Sequence, residues 1–252
     1  MNVYLKNCQF TTQRELQVFE SRITKIKTHT SQLKSFELNI PESIKWSFLP
    51  GQYIDLALME KPKEYSGFSL TSSSSHTDKI TISVKLATDS GLTSKLFAMS
   101  EGDPVMIRGP GGTFCLDLDN CHTAVLLGGG IGITPLISMY KSSIENRNMK
   151  QVALFHSAKT TEELIHHDEL KTLASMIPKA HYIPVVTRDN GWVGQTSRIT
   201  PDQVLNFVNN NQMQDPWFYI CGPGQFNSEL HRVFIEAGYD EHKVQVESYY
   251  EP

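Results

Sequence analysis

The sequence predicts an antiparallel β-barrel followed by a doubly wound α/β domain. Up to about residue 118 the apolar residues come in short, β-rich runs separated by turn residues. From about Cys121 onward, apolar runs alternate with helical patterns, and one of these runs leads directly into a glycine-rich turn. The 252 residues, 39% of them hydrophobic, are enough for two compact domains, which we place at 1–118 and 119–252.

The first half contains six candidate strands and one short helix. Pro50-Gly51 and Pro110-Gly111-Gly112 supply turns between the strands. The segment 91–99 has apolar residues at helical spacing, so it predicts the one helix that caps the barrel. The candidate strands are Val18 to Thr28, Ser35 to Ile40, Tyr53 to Leu58, Phe68 to Thr71, Ile80 to Leu86 and Val105 to Arg108.

The second half alternates candidate strands with candidate helices, which is typical of a parallel sheet covered on both faces. In such sheets ligands bind beyond the carboxyl ends of the strands, where loops begin at Gly128, Thr187 and Cys221. The strands are Ala124 to Leu127, Gln151 to Ser157, His181 to Thr187, Trp217 to Cys221 and Val244 to Glu247, and the helices are Pro135 to Glu145, Thr161 to Met176, Pro201 to Asn209 and Gln225 to Ala237.

The most informative stretch is Gly128-Gly129-Gly130-Ile131-Gly132-Ile133-Thr134-Pro135. Glycines allow a tight turn and close approach of a ligand, and the amides and dipole of the helix that follows favour a pyrophosphate. Pro135 suits the first helical turn, where its missing N–H costs nothing. The spacing Gly130-x-Gly132-x-x-Pro135 replaces the third glycine of the usual dinucleotide fingerprint, so the loop alone is compatible with a merely structural turn.

Composition excludes several classes of function. The net charge is −4 and no basic run interleaves with aromatic residues, so we expect no nucleic-acid partner. The four cysteines form no C-x-x-C pair, which argues against a zinc ribbon or an iron–sulfur cluster, and the histidines form no spaced metal pair, so we predict no metal site. No segment is apolar enough to span a bilayer. We expect a cytoplasmic protein, although the acid-free segment 1–14 would also suit an organelle-targeting peptide.

A series of motifs runs in a fixed order along nearly the whole chain from about Phe19. These are Pro50-Gly51-Gln52-Tyr53, Phe68-Ser69-Leu70-Thr71-Ser72-Ser73, Gly91-Leu92-Thr93-Ser94, Gly109-Pro110-Gly111-Gly112-Thr113-Phe114, Gly129 to Pro135, Cys221-Gly222-Pro223 and Glu247-Ser248-Tyr249. Together they resemble the ferredoxin–NADP reductase family of flavin-dependent oxidoreductases. The resemblance implies that the barrel binds flavin and the α/β domain binds a nicotinamide nucleotide.

The chemistry implied by this resemblance is hydride transfer between the nicotinamide ring and flavin N5, with electrons then passing to an acceptor. Because no cysteine-rich cluster domain is present, the acceptor would be an unfused protein or a small molecule. Ser69 takes the position of the hydroxyl near flavin N5, Cys221 that of the thiol beside the nicotinamide, and Glu247 that of the acid that orders a hydrogen-bond chain. Each also has a purely structural interpretation: a backbone-bonded strand serine, a small buried residue and a solvated chain end.

The resemblance also implies the residues that bind the cofactors. We predict FAD, with FMN as the alternative flavin, together with NADPH or NADH. The expected flavin-binding residues are Phe68, Ser69, Leu70, Thr71, Lys85, Gly91, Leu92, Thr93, Ser94 and Tyr249, with Tyr249 or Tyr250 covering the ring. The expected nicotinamide-binding residues are Gly130, Gly132, Thr134, Pro135, Thr187, Arg188, Gly222 and Pro223.

The main departure from the family pattern lies at the flavin strand, where relatives carry Arg-x-Tyr-Ser and this chain has Ser66-Gly67-Phe68-Ser69. The missing guanidinium removes a bidentate phosphate ligand, so flavin should be held more weakly or differently. The sequence Gly67-Phe68-Ser69 is similar to that of the family branch called oxidoreductase NAD-binding domain-containing proteins. A nucleotide-binding regulatory subunit, or a reductase that uses free flavin as its substrate, therefore stays open as an alternative.

The choice between NADPH and NADH depends on the residues that follow the strand His181 to Val186. Arg188 stands where phosphate-reading relatives often carry an arginine, which favours NADPH, whereas Asp189 beside it would repel a 2′-phosphate.

Overall fold

The structure is a computed structural model that describes residues 16–87 and 91–248. Its first half is a nearly closed antiparallel barrel of six strands, as the sequence predicts, and the strands lie in the order β4-β3-β6-β1-β2-β5. A bridge between Leu70 and Ile82 joins the end of β4 to β5 and brings the two edges together. The strands are β1 (Gln17–Thr30), β2 (Leu33–Asn39), β3 (Tyr53–Leu58), β4 (Ser66–Ser69), β5 (Lys79–Lys85) and β6 (Pro104–Gly111).

Alternating side chains of these strands fill the barrel. Phe36 and Leu38 of β2 and Ile54 and Leu56 of β3 are fully buried in one apolar cluster. The short helix α1 (Leu92–Ala98) covers the barrel through the buried side chain of Leu96. Burial of several large aliphatic side chains at about 2 kcal/mol each is what stabilises so small a barrel.

The second half is a five-stranded parallel sheet in the order β11-β10-β7-β8-β9, with helices on both faces. Because side chains alternate along a strand, Ala124 and Leu126 of β7 pack under α2 and α3, whereas Val125 and Leu127 pack under α4 and α5. The elements are β7 (Thr123–Gly129), α2 (Ile133–Glu145), β8 (Gln151–Ala158), α3 (His167–Met176), β9 (Ala180–Val186), α4 (Pro201–Asn210), β10 (Trp217–Cys221), α5 (Gly224–Glu236) and β11 (Val244–Glu247).

The two halves share an apolar contact. Leu33, Phe114 and Leu116 belong to the same buried cluster as the residues of α2. The ring of Phe114 meets the ring of Tyr219 edge-on, with centroids 5.7 Å apart. This contact holds the end of the barrel against the sheet that carries the glycine-rich loop.

One predicted helix is divided. The expected helix Thr161 to Met176 consists of a 3₁₀ turn (Thr161–Glu163) and then α3, because Leu164 and Ile165 turn inward and are buried at 4% and 1% exposure. His166 bridges the two parts with a left-handed backbone, at φ 58°. In the part of the chain that the structure describes, no helix is long and apolar enough to cross a membrane.

Candidate active site

The glycine-rich loop is shaped by close backbone contacts. It leaves β7, makes a 3₁₀ turn over Gly130–Gly132 and enters α2 at Ile133, so Pro135 falls in the first helical turn. Gly130 has φ +57°, a conformation that glycine adopts without strain. A Cβ on Gly132 would lie 2.5 Å from the carbonyl oxygen of Cys221 and 2.9 Å from the amide nitrogen of Gly222. Only glycine therefore permits the two loops to pack so closely.

The loop after β10 lies directly beside the glycine loop. In the parallel sheet Cys221 pairs with Gly128 on one side and with Glu247 on the other. A Cβ on Gly129 would lie 3.1 Å from the ring of Pro223, so these two loops are in contact along their length. The register thus brings together three predicted segments at the carboxyl edge of the sheet, where ligands of such sheets bind.

Glu247 lies at this edge in an apolar setting. Burial raises the pKa of its carboxyl to about 7, so it is neutral for part of the population at neutral pH. Its Oε2 is buried and has no hydrogen-bond partner among the described residues, and the same is true of Oδ1 of Asn227. The Nδ2 of Asn227 donates to the backbone carbonyl of Glu247 over 2.9 Å, which fixes the end of β11.

The barrel contributes the end of β4 and the residues after it. Ser69 is buried at 7% exposure, and Phe68 is partly buried against the barrel core. The side chain of Leu70 is fully buried in that core, so its contact with a cofactor would come from its backbone. The hydroxyl of Thr71 donates to the carbonyl of Thr81 at 3.1 Å, which ties this segment to β5.

Lys85 connects the barrel to the glycine loop. Its side chain and the backbone of Gly130 line the same small cavity of about 30 Å³, together with Gln32 and Glu163. The cavity lies where β5 of the barrel approaches the 3₁₀ turn of the loop. A predicted flavin-side residue and a predicted nucleotide-side residue are therefore neighbours.

The turn before α1 is partly described. Gly91 is the N-cap of α1, and no side chain caps the helix. The hydroxyl of Thr93 accepts from the amide of Ala87 at 3.1 Å, so it holds the preceding loop. Leu92 packs against the barrel core, and Ser94 is partly exposed.

Two family models match the chain over consecutive segments. Residues 20–115 match the oxidoreductase FAD-binding domain, and residues 126–231 match the oxidoreductase NAD-binding domain. The chain belongs to the ferredoxin–NADP reductase-like family of flavin-dependent oxidoreductases. Its two halves are the FAD-binding and NAD-binding domains of that family, as the order of motifs predicts.

Similar proteins include several reductases. The chain is 29% identical over 214 residues to flavohemoprotein A of Dictyostelium discoideum, covering 80% of this chain and 52% of that protein. It is also 29% identical over 213 residues to the reductase component of propane 2-monooxygenase of Rhodococcus jostii, covering 82% and 57%. The chain thus spans little more than half the length of these relatives.

A solved structure shares the fold over both halves. The ferredoxin NADP+ reductase of Neisseria gonorrhoeae with bound FAD and NADP superimposes with a TM-score of 0.77 at 24% identity, covering 92% of this chain and 98% of that one. The arrangement of a barrel followed by a parallel-sheet domain is therefore that of a reductase of this family.

The residues at the ring end of the flavin site fit a flavin. Ser69 offers a buried hydroxyl at the end of β4, and Phe68 offers an aromatic face beside it. The phosphate end differs from the family pattern because Ser66 replaces the usual arginine. For contact with the flavin phosphates, this end offers the backbone amides at the uncapped start of α1 and the ammonium of Lys85.

The nearest guanidinium on these strands does not replace the missing one. Arg108 donates to Asp55 at 2.7 Å and lies over the ring of Tyr65 at 4.3 Å. Asp55 lies on the face of the sheet toward which Gly67 points, since a Cβ on Gly67 would lie 3.6 Å from its carboxylate. Ser66 points to the opposite face, because side chains alternate along a strand.

At the nucleotide end, Thr187 and Arg188 follow β9. The amide and the hydroxyl of Thr187 both point to the carbonyl of Ala158, at 3.0 and 3.3 Å, whereas the side chain of Arg188 is exposed. The carboxylate of Asp189 accepts from the hydroxyl of Thr161 at 2.6 Å and from the amide of Gly191, and the bond from Thr161 does most to lower its pKa. Asp189 is therefore engaged both by its own loop and by the 3₁₀ turn that begins at Thr161.

Tyr249, the residue expected to cover the flavin ring, lies outside the described residues. Sequence reasoning missed Asn227, which is 3% exposed and holds the end of β11. A signal was present, because Asn227, Leu230 and Phe234 occupy i, i+3 and i+7 of α5, and a polar residue on an otherwise apolar helix face is noteworthy.

Proposed function

We propose that this chain oxidises NAD(P)H by hydride transfer to a bound flavin and passes the electrons to a separate acceptor. The observation that carries the proposal is the contact of the glycine loop with the Cys221 loop, opposite Lys85 and the end of the barrel. A flavin, when bound, supplies a ring that accepts a hydride and releases electrons singly or in pairs. The chain itself contributes by positioning the flavin ring and the nicotinamide ring relative to each other.

The residues at the edge of the sheet have distinct roles in this proposal. Gly130 and Gly132 let backbone amides approach the nucleotide pyrophosphate. Cys221 presents a small side chain beside the nicotinamide, so the ring can approach closely. Glu247, protonated in part of the population near pH 7, holds a proton at its carboxyl, of which Oε2 is buried from water.

On the barrel side, Ser69 directs its hydroxyl to the reactive edge of the flavin, and Phe68 contacts the ring. Lys85 and the amides of residues 91–94 hold the phosphates, in place of an arginine. Tyr249 remains a candidate for covering the ring face. Arg188, exposed at the end of β9, favours NADPH over NADH through its guanidinium.

The acceptor is proposed to be a separate protein or a small molecule. A similar protein from Rhodococcus jostii bears the name of a reductase component, which supports a role as one component of a larger system. We place the flavin domain at 1–118 and the nucleotide domain at 119–252. The boundary between them then lies in the segment between Gly111 and Thr123.

The deciding experiment follows flavin absorbance in purified protein titrated with FAD and, in parallel, with FMN. Under anaerobic conditions, NADPH or NADH should bleach the oxidised flavin spectrum at a stoichiometry near one flavin per chain. Retained absorbance with both nucleotides would contradict the proposal. Nucleotide binding without flavin binding would instead support a regulatory subunit.

The missing arginine favours a second candidate function, in which the protein reduces free flavin as a substrate. If flavin is a diffusible substrate, the protein will lose it on gel filtration and the NAD(P)H oxidation rate will saturate with added free FMN or riboflavin. A rate that is independent of added flavin, in protein that stays yellow, would exclude this alternative.

A further inference from the structure

Besides the small cavity at Lys85, a larger cleft lies between the outer face of the barrel and helices α2 and α3. It has a volume of about 350 Å³, within the range of small-molecule sites, which often lie at domain boundaries. The barrel lines it with Lys25 and Lys27 of β1, and the α/β domain lines it with Lys141 and His166. None of the residues that we assign to flavin or nicotinamide lines this cleft.

The cleft is also distant from the cofactor edge of the sheet. Lys141 lies on α2 eight residues after Ile133, where the glycine loop ends. At 1.5 Å per residue this separates the two positions by about 12 Å along the helix axis. The cleft is therefore a separate feature of the molecule.

The negative charges of the cleft are already engaged. Glu37 pairs with Lys79 at 3.1 Å, Glu169 pairs with Lys141 at 2.7 Å, and Glu145 accepts from the hydroxyl of Ser73 at 2.5 Å. Lys25 and Lys27 have no ion pair or side-chain hydrogen bond to any residue that the structure describes. Four lysines against three glutamates leave an excess of positive charge in a chain whose net charge is −4.

Basic groups of the two domains, two lysines and one histidine, converge here. Lys141 is a buried lysine, 9% exposed, and the side chain of His166 is 11% exposed. Burial lowers the pKa of both groups, and the charge of Lys27, on the facing domain, lowers both further, against the opposing effect of Glu169. Such a convergence is unfavourable in an empty cleft and becomes favourable when an anion lies between the groups.

The wall that carries these groups is held in place by hydrogen bonds. His166 contacts Glu169 through Nδ1 at 2.9 Å and the hydroxyl of Ser83 through Nε2 at 3.3 Å. Ile144 and Leu173 add an apolar surface to the same cleft. The cleft thus combines positioned cations with a wall that suits a hydrocarbon group.

We propose that this cleft binds a small organic dianion, whose charged group lies among Lys27, Lys141 and His166 and whose apolar part lies against Ile144 and Leu173. The ligand would contact both domains at once. It would therefore favour the domain arrangement seen here over any more open one.

The test uses the full chain, saturated with FAD and NADP+, and calorimetric titration with phenyl phosphate, inorganic phosphate and the neutral benzyl alcohol. We expect phenyl phosphate to bind more tightly than inorganic phosphate, and benzyl alcohol to show no binding. Lys27→Gln should weaken phenyl phosphate binding about fivefold. Lys27 is exposed, so this variant should fold, and Lys141→Gln provides a second, more severe test.

The matched control is Lys85→Gln, which removes a cation at the cofactor side and should leave phenyl phosphate binding unchanged. Loss of binding in this control, or phenyl phosphate binding that is seen only when NADP+ is omitted, would assign the anion to the cofactor site and overturn the proposal. Undetectable binding at millimolar phenyl phosphate, or equal affinity of wild type and Lys27→Gln, would overturn it as well.

Discussion

Among single residues, Glu247 has a carboxyl whose protonation depends strongly on its burial in the folded protein. Burial raises the pKa of its carboxyl from an ordinary 4.5 to about 7. The folded protein therefore binds this proton more tightly than the unfolded chain does. Folding stability is highest below pH 4.5 for this group, and it decreases as the pH rises through the window from 4.5 to 7.

We predict that Glu247→Gln removes this dependence. Between pH 5 and pH 8 the unfolding free energy of the wild type should fall by about 2 kcal/mol relative to the variant. Urea unfolding of both proteins at the two pH values measures this difference. The rate of hydride transfer should show an inflection near pH 7 that the variant lacks.

The control for this prediction is Glu251→Gln, a second carboxyl near the chain end, which should keep the wild-type difference between pH 5 and pH 8. An unchanged difference in Glu247→Gln would show that the carboxyl at this position does not take up a proton on folding.

At the scale of secondary structure elements, β4 carries both the strongest and the weakest parts of the flavin site. In the proposed site Phe68 and Ser69 contact the flavin ring, whereas Ser66 occupies the place of the family's phosphate-binding arginine. Ser66→Arg should restore a charge-assisted phosphate contact and tighten FAD binding about tenfold, or about 1.4 kcal/mol. Quenching of FAD fluorescence on titration with protein measures the change.

Gly67→Arg is the matched control, since it adds the same charge to the same strand on the opposite face, near Asp55. It should leave FAD affinity within about twofold of the wild type. Equal tightening by both variants would indicate a nonspecific effect of charge. If Ser66→Arg did not tighten FAD binding, the FAD phosphates would not lie near residue 66.

Most elements were predictable because their apolar residues recur with a clear period. Strands β3, β10 and β11 have the predicted bounds, and the helix after the glycine loop ends at the predicted Glu145 but begins at Ile133, two residues before the predicted start. The helix expected at 161–176 is divided because burial of Leu164 and Ile165 requires a left-handed His166, which no local pattern reveals.

The candidate site was predictable wherever a motif has a fixed spacing, as in the Gly130 and Cys221 loops. Asn227 was missed because its importance comes from a contact with β11, far along the chain. The cleft at Lys141 was also missed, since it is formed by strands of one half and helices of the other.

At the scale of the whole molecule, a chain of hydrogen bonds crosses the domain boundary. His29 of the barrel contacts Ser35 at 2.8 Å, Ser35 contacts Ser83 at 2.7 Å, and Ser83 contacts His166 at 3.3 Å. His166 then contacts Glu169, which pairs with Lys141. The two domains therefore meet through polar groups here, and through the apolar cluster of Phe114 on another side.

Both histidines in this series of hydrogen bonds, His29 and His166, have lowered pKa values. Burial, then the nearby His166 and Lys27, lowers the pKa of His29 to about 4, and burial lowers that of His166 although Glu169 opposes it. Both are neutral in the folded protein at pH 7. The contribution of His29 to stability is therefore complete above pH 6.5 and is lost as the pH falls through 4, and that of His166 is likewise lost as the pH falls below 6.5.

We predict that acidification from pH 7 to pH 5 loosens the domain boundary, because charged His29 and His166 would repel each other and Lys27. His166→Asn should reduce the loss of unfolding free energy over this range, because the variant has no imidazole at this position to take up a proton. Hydrogen exchange at pH 5 should rise first in β5 and α3 of the wild type. His122→Asn, at an exposed position that takes no part in the chain of bonds, should behave as the wild type. If His166→Asn lost as much stability on acidification as the wild type, the proton would be taken up elsewhere and the polar contact would not sense pH.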